Sequence, residues 1–292
     1  MIYLLLCILA NLLIFVVFRL YPRLGIPTFP AITMNYFFCV VTGLLFNFTD
    51  LKSSFTQIEA FPSWGYLAVF LSFAFILTFT LMARTTQLFG VTVGAIASKL
   101  SLVIPVSFSL LIFSKGQAAF TSLNYLGIVL ALVAIVLASI KKEKRDITLP
   151  RGAAILLPIS IFLLGGMLDT LINFANINYL SPADDAVFVT SIFILTFLWG
   201  LGRLFYLKLT ISRKAILGGL MLGLPNYFSM IFLLKSLEAF GGNGALIYPL
   251  VNIGIIISGT LVSVTFFKDK LMPINLIGVG MSLIALVLIS WR

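Results

Sequence analysis

The sequence predicts an all-α integral membrane protein with ten transmembrane helices, arranged as two inverted five-helix repeats around a central cavity. Composition, the rhythm of apolar runs and a match of the chain to itself lead there. Of 292 residues, 61% are apolar and only 10% are charged, and the mean hydropathy is +1.17. A soluble domain carries about 25% charged residues to solvate its surface. This chain has too few polar groups to face water, so its solvent is lipid. No polar stretch is long enough for a soluble domain, the longest being 141–151.

A helix needs about 20 residues to cross a hydrocarbon core of about 30 Å, which caps the count near ten. The first span, 2–20, starts directly in an apolar run without a basic leader or small-residue cleavage site, and reads as retained. Arg19 and Arg23 close it. Span 29–48 follows Pro27 and ends before Asp50 and Lys52, and span 63–86 runs to Arg84 and Gln87. Little more than Gly90 separates it from span 90–113, which Lys115 closes. Span 121–140 ends at the basic linker. The second half offers 152–178, 183–207, 214–237, 241–266 and 273–291. Its breaks are Asp184-Asp185, the Lys208–Lys214 stretch, Gly241-Gly242 and Lys268–Lys270.

Shifting the chain by 151 residues aligns 84–139 with 235–290 without a gap, and about 13 of the 56 positions are identical. Arg84 falls on Lys235, Phe89-Gly90 on Phe240-Gly241, and Asn124-x-x-Gly127 on Asn275-x-x-Gly278. The repeats therefore cover 1–141 and 152–292, joined by a basic linker at 142–151. Five spans per repeat is an odd number, so the second enters the membrane upside down, an architecture that lets a central site face either side in turn.

The net charge of +10 has the same origin. Fourteen lysines and arginines fall in or beside alternate loops, against four (Lys52, Lys115, Lys235, Arg292) on the other side. Their place between apolar runs points to lipid and membrane potential rather than nucleic acid. The positive-inside rule puts the 141–151 linker in the cytoplasm and both termini outside. With no histidine and only Cys7 and Cys39, both in apolar runs, the chain predicts no metal site, no cofactor and no disulfide framework.

With these features, the chain resembles the EamA-type branch of the drug/metabolite transporter superfamily. The 5+5 layout, the short linker and the paired Phe-Gly and Asn-x-x-Gly segments carry the resemblance. It implies a ten-helix fold whose cavity is built from both halves, and export or exchange of small metabolites such as amino acids. A bacterial inner membrane is the expected location.

Ionisable groups deep in a bilayer cost about 2.5–3.5 kcal/mol on insertion scales, so they mark candidate sites. Lys99 lies about ten residues into the fourth span. It reads as a cavity cation for a substrate anion, or as a structural lysine held by carbonyls or Asp169. Pro105 is positioned to kink the span just beyond it. Gly165, Asp169, Asn173 and Asn176 share one helical face, which suits a cavity wall or interhelical hydrogen bonding. Asn35, Asn226 beside Pro225, Tyr248 and Asn252 complete the substrate-binding candidates. Arg84 with Gln87, and Lys235 with Glu238, read as gate or interface groups.

No catalytic residue is assigned and no enzymatic activity is expected. The alternative is an intramembrane transferase acting on a lipid-like substrate, which would need paired carboxylates on Mg²⁺ or a His base. Only Asp169 lies deep among the carboxylates. The expected partners are a small-molecule substrate and membrane lipid, with the chain acting as monomer or homodimer.

Overall fold

Lipid offers the backbone no hydrogen-bond partner, so a chain this apolar must close its peptide groups within helices. The computed structural model describes residues 1–46, 63–108, 121–140, 151–180, 185–240 and 244–290, and among these there is helix and no strand. The first half supplies α1 (Ile2–Leu24), α2 (Thr28–Phe46), α3 (Gly65–Phe89), α4 (Val91–Lys99), a 3₁₀ turn (Leu100–Leu102), α5 (Val103–Phe108) and α6 (Ser122–Ser139). The second half supplies α7 (Arg151–Asn178), α8 (Asp185–Tyr206), α9 (Arg213–Ala239), α10 (Gly244–Thr265) and α11 (Pro273–Ser290).

Seven helices, α1, α2, α3, α7, α8, α9 and α10, are long and apolar enough to cross a membrane. Three further apolar stretches, Val91–Pro105, Ser122–Ala138 and Pro273–Ile289, are shorter. The chain is thus a helical integral membrane protein. The expected fourth span is not one continuous helix, because α4 stops at Lys99. The linker at 142–150, Asp184, and the lone loop cations Lys52, Lys115 and Arg292 lie outside the described residues.

The helices form two compact units. One comprises residues 1–19, 81–167 and 229–292, and the other 20–80 and 168–228. Each draws on both sequence halves. The two segments of the smaller unit are set 148 residues apart, close to the shift that aligns the sequence with itself.

In the larger unit, α6 and α11 run antiparallel and close each other's ends. Asn124 sits in the first turn of α6, where its Oδ1 accepts from the Thr121 backbone N–H (2.9 Å). Its Nδ2 reaches across to the Leu288 and Ile289 carbonyls at the far end of α11 (3.0 and 3.2 Å). Asn275 repeats this from the other side. Its Oδ1 accepts from Met272 N–H (2.8 Å), and its Nδ2 donates to the carbonyls of Leu137, Ala138 and Ile140 (3.0, 3.2 and 2.8 Å). One amide thus starts its own helix and finishes its neighbour, meeting the needs of groups that helix ends leave unpaired. Gly127, Ala131, Ala134 and Ala138 line the contact face of α6, and Gly278, Ser282, Ala285 and Ile289 that of α11. All of them are buried. A Cβ on Gly278 would lie 2.7 Å from the Ala138 backbone nitrogen, and one on Gly127 2.8 Å from Ile289. Small residues let the backbones approach closely, as membrane helix pairs require. The same core takes in Ile96, Leu100 and Val103, Phe162 of α7 and Ile256 of α10.

In the smaller unit, α2 is the hub, buried continuously from Pro30 to Tyr36. Gly218, Gly219 and Gly223 of α9 lie against Ala31, Met34, Asn35 and Phe38 so tightly that any Cβ there would clash. Gly200 of α8 meets Thr33, and the Tyr36 hydroxyl donates to the Phe75 carbonyl on α3 (3.3 Å). Trp199 Nε1 donates to Ser72 Oγ (3.1 Å), tying α8 to α3.

The glycine contacts set a paired test. Gly278→Ala should lower stability by about 1–3 kcal/mol through overpacking against backbone. Gly280→Ala, where a Cβ meets nothing within 4 Å, should be neutral or slightly stabilising. Melting of both variants in detergent checks this, and equal melting temperatures would count against the clasp.

Candidate functional site

The position of Lys99 follows from a break in its helix. A proline at 105 lacks the N–H that would bond to the Ser101 carbonyl, and its ring crowds that oxygen. The chain responds with the 3₁₀ turn at 100–102, where Val103 N–H bonds back to the Leu100 carbonyl. Lys99 is the last residue of α4 before this turn. Its own carbonyl accepts a hydrogen bond from Asn252 Nδ2 on α10 (3.2 Å). A side chain thus serves a backbone group where the regular ladder is interrupted.

The Lys99 side chain is half-buried, and its Nζ donates to Asn11 Oδ1 on α1 (2.8 Å). The other end of that amide donates to the Cys7 carbonyl (3.0 Å), and the Cys7 thiol in turn donates to the Ser229 carbonyl on α9 (3.5 Å). One hydrogen-bonding partner of the ammonium is thus a side-chain amide, which helps to hold the cation in place. Gly165 of α7 stands beside Ser101 on the 3₁₀ turn, where a Cβ would meet the Ser101 hydroxyl at 3.1 Å. Lys99, Asn11, Asn252 and Ser101 thus converge from three helices and the turn.

A second polar node closes one end of the same unit. Arg19 is nearly buried and donates to the carbonyls of Thr86 and Gln87 in the last turn of α3. A cation there complements the negative end of the helix dipole. Its other nitrogen pairs with Asp269 at 2.8 Å, and Ser263 Oγ donates to the second carboxylate oxygen at 2.7 Å. Gly90, between α3 and α4, adopts φ +97°, and a Cβ would sit 2.9 Å from Asp269 Oδ2. Only glycine both takes this conformation and leaves room for the carboxylate.

The remaining candidates fall in several places. Asn35 and Asn226 meet in the smaller unit, fully or nearly buried. Asn226 Nδ2 donates to Asn35 Oδ1 (3.2 Å) and to the Cys39 sulfur (3.4 Å), so together they bridge α2 and α9. Asp169 is exposed and Asn173 half-buried on the later part of α7. Asn176 lies on the same helix and Glu238 near the end of α9, and their side chains are outside the described residues. Tyr248 is 40% exposed on α10. Arg84 is exposed, the backbone carbonyl of Gln87 accepts from Arg19, and Lys235 lies over the Tyr3 ring at 5.4 Å from its centre.

Sequence reasoning missed Asn11, Arg19 and Asp269. Asn11 carries a usable signal, a lone amide in the apolar run of α1. Arg19 reads only as one of many loop-side cations, and Asp269 as a loop acid between two lysines.

No family model matches the chain. It is similar to an uncharacterized protein of Haemophilus influenzae, with 25% identity over 288 residues that span 96% of this chain and 94% of that one. One solved crystal structure of a protein shares the fold with a TM-score of 0.57 at 12% identity, covering 97% of this chain and 95% of that one.

Removing one member of the Arg19–Asp269 pair leaves the other charge half-sheltered. Arg19→Met should cost about 1–3 kcal/mol, less than a fully buried pair because Asp269 keeps some exposure. Arg19→Met with Asp269→Asn should cost clearly less than the sum of the single changes. Melting temperatures of the three variants test the coupling, and strict additivity would sink it.

Proposed function

We propose that the chain is a secondary transporter of the EamA-type branch of the drug/metabolite transporter superfamily. Its ten spans form two inverted repeats that carry small polar or amphipathic metabolites, such as amino acids, by alternating access. The observation that carries this reading is Lys99. A lysine about midway along an apolar stretch, at a helix break and hydrogen-bonded to an amide, is costly in lipid and is the kind of group that recognises an anionic substrate. Discontinuous helices are where membrane transporters place their sites, because interrupted backbone is tolerated only beside protein or a water-filled cavity.

The repeat reading draws support from pairing. The sequence register equates α6 with α11, α4–α5 with α10, and α2 with α8. Within the units, α6 packs on α11, α4 on α10 and α2 on α8. Counterparts that pack on one another, and two asparagines with mirrored duties, are what a pseudo-two-fold axis generates. Five spans per repeat would make that axis lie in the membrane plane.

In the mechanism, Lys99 attracts a carboxylate or phosphate of the substrate, and Asn11 and Asn252 fix the ammonium and the turn that carries it. The halves then rock about the site, with export or exchange as the outcome. The expected location is a bacterial inner membrane, and the charge distribution favours a cytoplasmic linker with both termini outside.

The test is metabolite profiling of medium and cells expressing wild type, Lys99→Met or Asn11→Leu, with membrane insertion checked for each. A metabolite moved by wild type should be bound about 10- to 100-fold more weakly by Lys99→Met, the worth of a lost charge-assisted hydrogen bond. Asn11→Leu should weaken it less. Equal transport by wild type and an equally inserted Lys99→Met would leave Lys99 a structural role.

A further inference from the structure

We propose that the connection from α8 to α9 binds the headgroup of an acidic phospholipid. The proposal rests on the chain lying in a bilayer and not on the transport reading. Between Arg203 and Lys214 there are four basic residues (Arg203, Lys208, Arg213, Lys214) and no acid, and all four are exposed. Beside them, Phe205 and Tyr206 at the end of α8 are 88% and 84% exposed. Exposed aromatics at the end of a membrane helix belong at the interface, and cations one step beyond them meet the lipid phosphates. A hollow of about 560 Å³ lies there, lined by Leu204, Phe205, Tyr206, Lys208, Leu209 and Thr210. Its wall is mostly apolar with a lysine at the edge, a fit for the glycerol end of a phospholipid whose phosphate faces Lys208.

The backbone at Lys208 adds an independent observation. Helix α8 ends in a Schellman turn, with Lys208 N–H bonding to Phe205 O (3.1 Å) and Leu209 N–H to Leu204 O (2.9 Å). This turn requires a residue in the left-handed region, normally glycine, and Lys208 occupies it at φ +52°. The helix-end carbonyls are served by backbone, so capping does not explain a lysine there. Of the other cations, Lys214 donates to the Leu24 carbonyl (3.2 Å) and Arg203 lies 4.9 Å from the Phe29 ring centre. Lys208 and Arg213 are therefore assigned to the headgroup.

A second copy of the chain is a poorer occupant. A two-fold contact would press this patch against itself and face four cations with four. A free anion would leave the apolar wall unused.

Native mass spectrometry of the purified full chain tests the assignment, titrating phosphatidylglycerol against phosphatidylcholine of the same acyl chains. Wild type should retain phosphatidylglycerol preferentially, and 10 mM inorganic phosphate should not displace it. Lys208→Gly should weaken retention about fivefold, and adding Arg213→Gln about fivefold again, roughly the worth of one interfacial cation each. Lys208→Gly should melt at the wild-type temperature or higher, since glycine suits the turn, so lost lipid would not reflect lost fold. Lys268→Gly is the control, because Lys268 is also left-handed, at φ +56°, and follows the end of α10. It should leave retention unchanged. Equal retention of the two lipids, displacement by phosphate, an equal loss in Lys268→Gly, or lipid-independent dimers blocked by Lys208→Gly would each overturn the proposal.

Discussion

The structure depends on the absence of water around its peptide groups. In a hydrocarbon solvent a helix end cannot be left to hydration, and each open N–H or C=O must find a partner in the protein. The chain meets this constraint with a few short side chains. Asn124 and Asn275 close both ends of the α6–α11 pair, Arg19 closes α3, and Asn252 serves the carbonyl at the Lys99 break. These groups lie on different elements from the helices they complete. Termination and tertiary assembly are therefore one event, and the glycines and alanines between the asparagines follow from it, because an amide reaches across only where the backbones are close.

The constraint also explains why the candidate site lies where it does. A proline at 105 forces an irregular turn, an irregular turn needs polar neighbours, and polar neighbours make a place where an ammonium is tolerated. Asn11 and Asn252 answer two requirements of one residue, its side chain and its carbonyl. The Arg19–Asp269 node is a different solution in the same unit, a cation spent on a helix end and neutralised by a carboxylate. Lys99 donates to a side-chain amide at a helix break, whereas Arg19 donates to the carbonyls of a helix end and to a carboxylate.

Much of this was legible in the sequence. Composition established the solvent, apolar runs placed the described helices to within a few residues except for the broken fourth span, and the shifted match picked out the Asn-x-x-Gly pairs that the fold uses at α6 and α11. Lys99 stood out because its cost in lipid depends on depth alone. What could not be read was partnership. Asn35 and Asn226 are lone amides 191 residues apart, and only the crossing of α2 and α9 turns them into a bridge. An arginine near a helix end looks the same whether it reaches toward water or turns inward to carbonyls, so Arg19 passed for a topological charge. Asp269, set between lysines, gave no sign of lying against a glycine more than 170 residues earlier.

The reciprocal asparagines have a consequence for biosynthesis. The far end of α6 is closed by Asn275, and the far end of α11 by a residue made long before it. When α6 leaves the ribosome, the chain that will close it does not yet exist. Its carbonyls must wait in the translocon or against lipid until α11 emerges, so the end of α6 matures only when a much later segment has been made.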